Sequence, residues 1–91
     1  MQVINKKYKR SALRALKLDR AYNDLIEKND REMDSIEPDT PAYYRANNRH
    51  EVSQWKAYDK AINALNEMPL REQINFNKQY KALFGYSCVG F

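Results

Sequence analysis

Lys7, Arg10, Arg14 and Lys17 recur at i, i+3, i+7 and i+10, a spacing that lines four cations along one side of a helix over about 15 Å. Such a ladder suits phosphate oxygens. Lys6, Lys9 and Arg20 thicken it, and Tyr8 adds a ring on which a base can stack. A cationic run is equally the mark of a solvated or protein-facing helix surface. Lys6, Lys7, Lys9, Arg10, Arg14 and Lys17 are therefore candidate nucleic-acid or anion contacts, weighed against plain solvation.

A second cluster, Tyr43, Tyr44, Arg45, Asn47, Asn48, Arg49 and His50, mixes rings, guanidinium forks and amides just after a helix start, where free N–H groups favour anions. Arg45 and Arg49 are four residues apart, so together they have the spacing to grip a phosphate or carboxylate. Tyr8, Tyr43, Arg45 and Arg49 form the candidate partner or ligand patch. The competing reading is an amphipathic helix with polar outer residues.

Catalytic constellations are scarce. His50 and Glu51 are adjacent, and neighbouring helical residues point about 100° apart, so they form no dyad and His50 is expected to be solvated. Asp30, Glu32 and Asp34 alternate as in a calcium loop but lack its turn glycine. One His and one Cys exclude a Cys/His zinc site within the chain. There is no glycine-rich phosphate cradle and no nucleophile elbow. The expectation is a protein that is not an enzyme and needs no cofactor or metal, with Cys88 as a packing residue.

The segment that carries the basic ladder reverses its charge along its length. Seven cations up to Arg20 precede seven acids from Asp24 to Asp39, and Ala21 to Thr40 carries −5 once Lys28 and Arg31 are counted. That order opposes the helix macrodipole and costs about 0.3–1 kcal/mol for each charge in a terminal turn. Either a polyanion on the basic half or an antiparallel helix that brings opposite charges together offsets it.

Three helices position these groups. From about Asn5 to Ile36 an apolar stripe runs through Tyr8, Ala12, Ala15, Leu18, Tyr22, Leu25, Asn29, Met33 and Ile36 at a mean step of 3.5 residues. Asn29 either fixes register by a buried hydrogen bond or, the reading favoured, faces water at the seam edge. Thr40 and Pro41 then predict a cap and first position of a second helix. Its stripe is Tyr44, Asn48, Val52, Trp55, Tyr58, Ile62, Leu65 and Met68, flanked by Ala57, Ala61 and Ala64. Pro69 opens a third helix through Leu70, Ile74, Asn77, Tyr80, Leu83 and Phe84, and Gly85 stops it. The apolar tail Tyr86 to Phe91 either packs across the bundle or meets a partner.

The predicted fold is thus all-α, a helical hairpin plus a third, shorter helix in one small domain over residues 1–91. Leu, Ile, Val and Phe number 18 of 91, so stability is modest and an oligomer that hides further apolar surface is expected. No stretch reaches the ~20 apolar residues of a membrane helix, and no signal-peptide core follows Met1. No membrane partner and a cytoplasmic location are expected.

In composition, this short, glycine-poor, Lys-, Asn-, Asp- and Tyr-rich chain resembles small phage or mobile-element proteins that disable a host factor. The resemblance implies a non-enzymatic adaptor or inhibitor whose partner is a host protein that handles nucleic acid, or nucleic acid itself. Two alternatives stand beside it: an oligomer that sequesters a nucleotide or cyclic nucleotide, and a structural protein that self-associates through its first helix.

Overall fold

The computed structural model describes residues 1–91. Asn5 caps a single 3₁₀ turn, Lys6–Tyr8, by accepting a hydrogen bond from the Lys7 N–H at 3.0 Å. The chain continues without a break into α1, Lys9–Asp34. Ser35 ends it by donating its hydroxyl to the Glu32 carbonyl. Asp39, at φ 62°, takes the left-handed turn position that short polar residues tolerate. Thr40 then caps α2, Pro41–Asn66, with Pro41 in the first turn as its missing N–H predicts. Pro69 precedes α3, Leu70–Phe84, and Gly85 at φ 81° returns its N–H to the Lys81 carbonyl.

The two 26-residue helices pack antiparallel as a hairpin of about 39 Å per arm, and the molecule is a rod of 51 × 22 × 17 Å. At 15 residues, α3 covers only part of that length. It lies along the first half of α1, because Glu72 accepts from the Ile4 and Asn5 N–H groups while Tyr80, two turns on, reaches Asp19. The three-layer core sits at this end and contains Ala12, Ala15, Ala64, Leu65, Met68, Phe76, Tyr80 and Cys88. Beyond it, α1 and α2 pack on each other alone.

The predicted phase of α1 is seen: Ala12, Ala15 and Asn29 are buried, and Tyr8, Leu18, Tyr22, Leu25 and Met33 are half-buried. That of α2 is seen in its second half, where Leu65 and Met68 are buried and Tyr58 and Ile62 half-buried, but not in its first. Tyr44, Asn48, Val52 and Trp55, expected in the seam, are exposed, and the buried positions are Ala46, His50, Ala61, Ala64 and Leu65. The supposed small-residue flank is the seam itself. Alanines let the two backbones approach closely, which leaves no room there for the larger side chains.

Two polar expectations change with it. Asn29, favoured as a water-facing edge residue, is only 4% exposed, and His50, expected to be solvated, only 7%. The tail packs across the bundle: the Cys88 N–H donates to Asn77, the Val89 N–H donates to Asp19, and Gly90 lies against Ile62 and Leu65. Gly90 takes φ 85°, a left-handed conformation that favours glycine, whereas the Ile62 Cδ1, 2.9 Å from where a Cβ would stand, is a side-chain tip that can move aside.

Candidate functional site

Position along the rod decides what each predicted site residue can do. Lys6, Lys7, Lys9, Arg10 and Lys17 are exposed, and none has an acidic partner. Arg14 differs, since its guanidinium bonds Glu67 at the end of α2 at 2.9 Å. Tyr8 is half-buried against the core, with the Lys7 ammonium 5.2 Å from its ring centre.

The second patch does not join this one. Arg49 bonds Glu32 near the end of α1 at 2.6 Å, so Arg45 and Arg49 sit toward the opposite end of the rod, and Arg49 already has an acidic partner. Arg45 is exposed, while Tyr43 is half-buried with its ring edge-to-face on Tyr44 at 5.8 Å. The Tyr44 hydroxyl donates to Asp39.

These two ion pairs offset part of the reversed polarity of α1, at Arg14 and Glu32, and leave the first-turn cations Lys9 and Arg10 unpaired. Because α2 runs back along it, Arg14 near the start of α1 meets Glu67 at the negative end of α2, and Glu32 near the end of α1 meets Arg49 and His50 toward the positive end of α2. Each pair is half-exposed and contributes at most about 1 kcal/mol. The negative end of α2 also attracts Arg14. Compensation within the chain is therefore partial.

What the sequence reading did not place is the contribution of α3. Running beside the first half of α1, it brings exposed Arg71, Lys78 and Lys81 to the same end as the ladder. Residues 1–20 and 70–91 together carry +8, from ten Lys and Arg against Asp19 and Glu72, whereas residues 21–54 carry −4. Asp19 and Glu72 are buried and hydrogen-bonded, and Glu67, the exposed acid at this end, is taken up by Arg14, which leaves the other cations to define its surface. The α3 charges are plain in the sequence; the direction in which α3 packs is not.

Inside the basic end, Asp19 holds α1, α3 and the tail together. Its carboxylate accepts from the Tyr80 hydroxyl at 2.6 Å, the Asn23 amide at 2.9 Å and the Val89 N–H at 2.9 Å. Burial first, then the bond to Asp19, pushes the Tyr80 phenol above its ordinary range. Arg20 donates to the Tyr80 and Tyr86 hydroxyls and lies 4.1 Å over the Phe84 ring, contacts that hold its charge more firmly still. Cys88 is buried nearby, and desolvation, with Asp19 adding to it, raises its thiol to about 11. This is a structural network, buried at Asp19 and Tyr80 and open to solvent at Arg20 and Tyr86.

No helix is long and apolar enough to cross a membrane. Compared with family models, curated proteins and solved structures, the chain matches none, so what it does must be read from its own geometry.

Proposed function

We propose that this protein is a non-enzymatic interaction module whose basic pole holds an anionic surface, either nucleic acid or the acidic face of a protein that handles nucleic acid. The observation that carries this reading is the set of five exposed, unpaired cations, Lys6, Lys7, Lys9, Arg10 and Lys17, on an end where α3 adds three more. Sequestration of a nucleotide has less behind it, since neither cleft between α1 and α2 contains a residue of the ladder. Self-association through α1 has less behind it, since α2 already meets the charges at Arg14 and Glu32. Exposed Val52, Trp55, Leu70, Ile74 and Leu83 still offer apolar surface to a partner or a second copy.

The test is a double charge swap at positions that bond nothing in the fold. Arg14→Glu would set a carboxylate against Glu67 and perturb the hairpin, so Arg10→Glu with Lys17→Glu is the cleaner pair. We expect this variant to lose at least about tenfold in affinity for a labelled oligonucleotide by fluorescence anisotropy, with an unchanged circular dichroism spectrum. Undiminished binding by the variant, or none by the parent protein to oligonucleotide or acidic protein, would remove the proposal.

A further inference from the structure

Because α1 and α2 have 26 residues each and α3 only 15, one side of the hairpin is covered for about 22 Å and then left open. The open half continues the stripes that α3 and the tail cover. On α1, Asp19, Arg20 and Asn23 bond Tyr80, Tyr86 or Val89. One heptad on, Ile26, Glu27 and Asp30 take the same directions, and Met33 and Asp34 follow a heptad later. On α2, Ile62 and Leu65 lie against Gly90 of the tail, and one heptad back stand Trp55 and Tyr58, with Glu51 a heptad before Tyr58. The open half thus has a floor of half-buried Ile26, Met33 and Tyr58 with Trp55 at its edge. Four exposed carboxylates, Glu27, Asp30, Asp34 and Glu51, rim it, and none is in an ion pair.

The complement is on the outer side of α3. Leu70, Ile74, Lys78 and Lys81 recur at i, i+4, i+8 and i+11, opposite buried Phe76 and Tyr80, with Arg71 beside them; all five are exposed and no cation among them has an acidic partner. Leu70 is 65% exposed and Ile74 54%. The charges match in spacing as well as sign. Arg71 and Lys78 are seven residues apart, and so are Glu27 and Asp34. In its own chain α3 runs parallel to α1, from Glu72 beside Ile4 and Asn5 to Tyr80 beside Asp19. A second copy turned end over end therefore presents α3 antiparallel to α1, and as its Arg71 meets Asp34 its Lys78 meets Glu27. Two helices of about 22 Å laid end to end also fill the 51 Å rod.

We infer that the protein forms a twofold dimer in which α3 of each copy fills the open half of the other, setting Leu70 and Ile74 on Ile26, Met33 and Tyr58. The pairing is the same on both sides and closes, so assembly stops at two. It takes Arg71 and Lys78 from the surface of the basic pole. Arg10 and Lys17, on the outer side of α1, stay free, one basic cluster at each end of the dimer.

Sedimentation equilibrium on nuclease-treated protein should show a reversible dimer of twice the 10.8 kDa chain mass. Glu27 and Lys78 are exposed and bond nothing within the chain. Glu27→Lys and Lys78→Glu should each weaken dimerisation at least about tenfold, by setting like charges together at two symmetric contacts, with unchanged circular dichroism. The double variant Glu27→Lys, Lys78→Glu should recover most of that loss, since each copy then presents the reversed pair. A monomer at every concentration, assembly beyond two, single variants that dimerise like the parent, or a double variant as weak as the singles would each overturn the assignment.

Discussion

Asp19 is 2% exposed and Tyr80 wholly buried, yet the pair is stable inside the fold because the carboxylate has three donors and the phenol has the carboxylate. Removing one hydroxyl tests this without changing shape. Tyr80→Phe should lower unfolding free energy by about 1–3 kcal/mol, seen as a lower urea midpoint with an unchanged slope. Cys88 gives a second test. Its raised pKa means the folded state holds the thiol proton more tightly, so the stability it contributes is complete below about pH 8.5 and is lost as pH rises through about 11. The urea midpoint should fall across that window. At pH 8, the thiol should react with Ellman's reagent about 100-fold more slowly in the native protein than in urea; equal rates would place Cys88 outside the core. Nothing in the sequence announced Asp19 as buried, since its partners lie 61 and 70 residues away and only packing brings them together.

Helix boundaries were legible where single residues dictate backbone. Thr40 with Pro41, Pro69 and Gly85 mark the starts and stops observed. The face of α2 was misread in its first half, for a definite reason: Tyr44, Val52 and Trp55 outweigh alanine in any hydrophobic count, whereas in the hairpin the width of the gap decides, and Ala46, Ala61 and Ala64 fit it; Leu65 and Met68 are buried where the stripe placed them. The α1 stripe was readable because large and small residues there share one phase. Substitutions separate the two faces. Ala61→Leu should cost about 1–3 kcal/mol through overpacking, and Val52→Lys should stay within about 0.5 kcal/mol. Thermal unfolding of both variants measures the difference; the reverse order would restore the phase that hydrophobicity alone predicts.

On the scale of the whole molecule, folding turns a linear charge pattern into a rod with a basic pole and an acidic flank. The sequence showed the reversal along α1 but not its partial offset, which depends on α2 running antiparallel with Glu67 and Arg49 at the right heights. Of the candidate residues, the unpaired cations near the start of α1 stay together, Arg14 is taken up by Glu67, and the Arg45 and Arg49 patch separates from them. The basic pole gains Arg71, Lys78 and Lys81 instead. A surface built from unpaired cations binds by releasing counterions from its partner, so its affinity depends steeply on salt. The most direct measurement is the affinity for a duplex oligonucleotide from 50 to 200 mM salt. Engagement of about four to six phosphates predicts a logarithmic slope of about −4 to −5, flattened in the Arg10→Glu, Lys17→Glu variant; binding indifferent to salt, or with the same slope in both proteins, would contradict a basic docking pole.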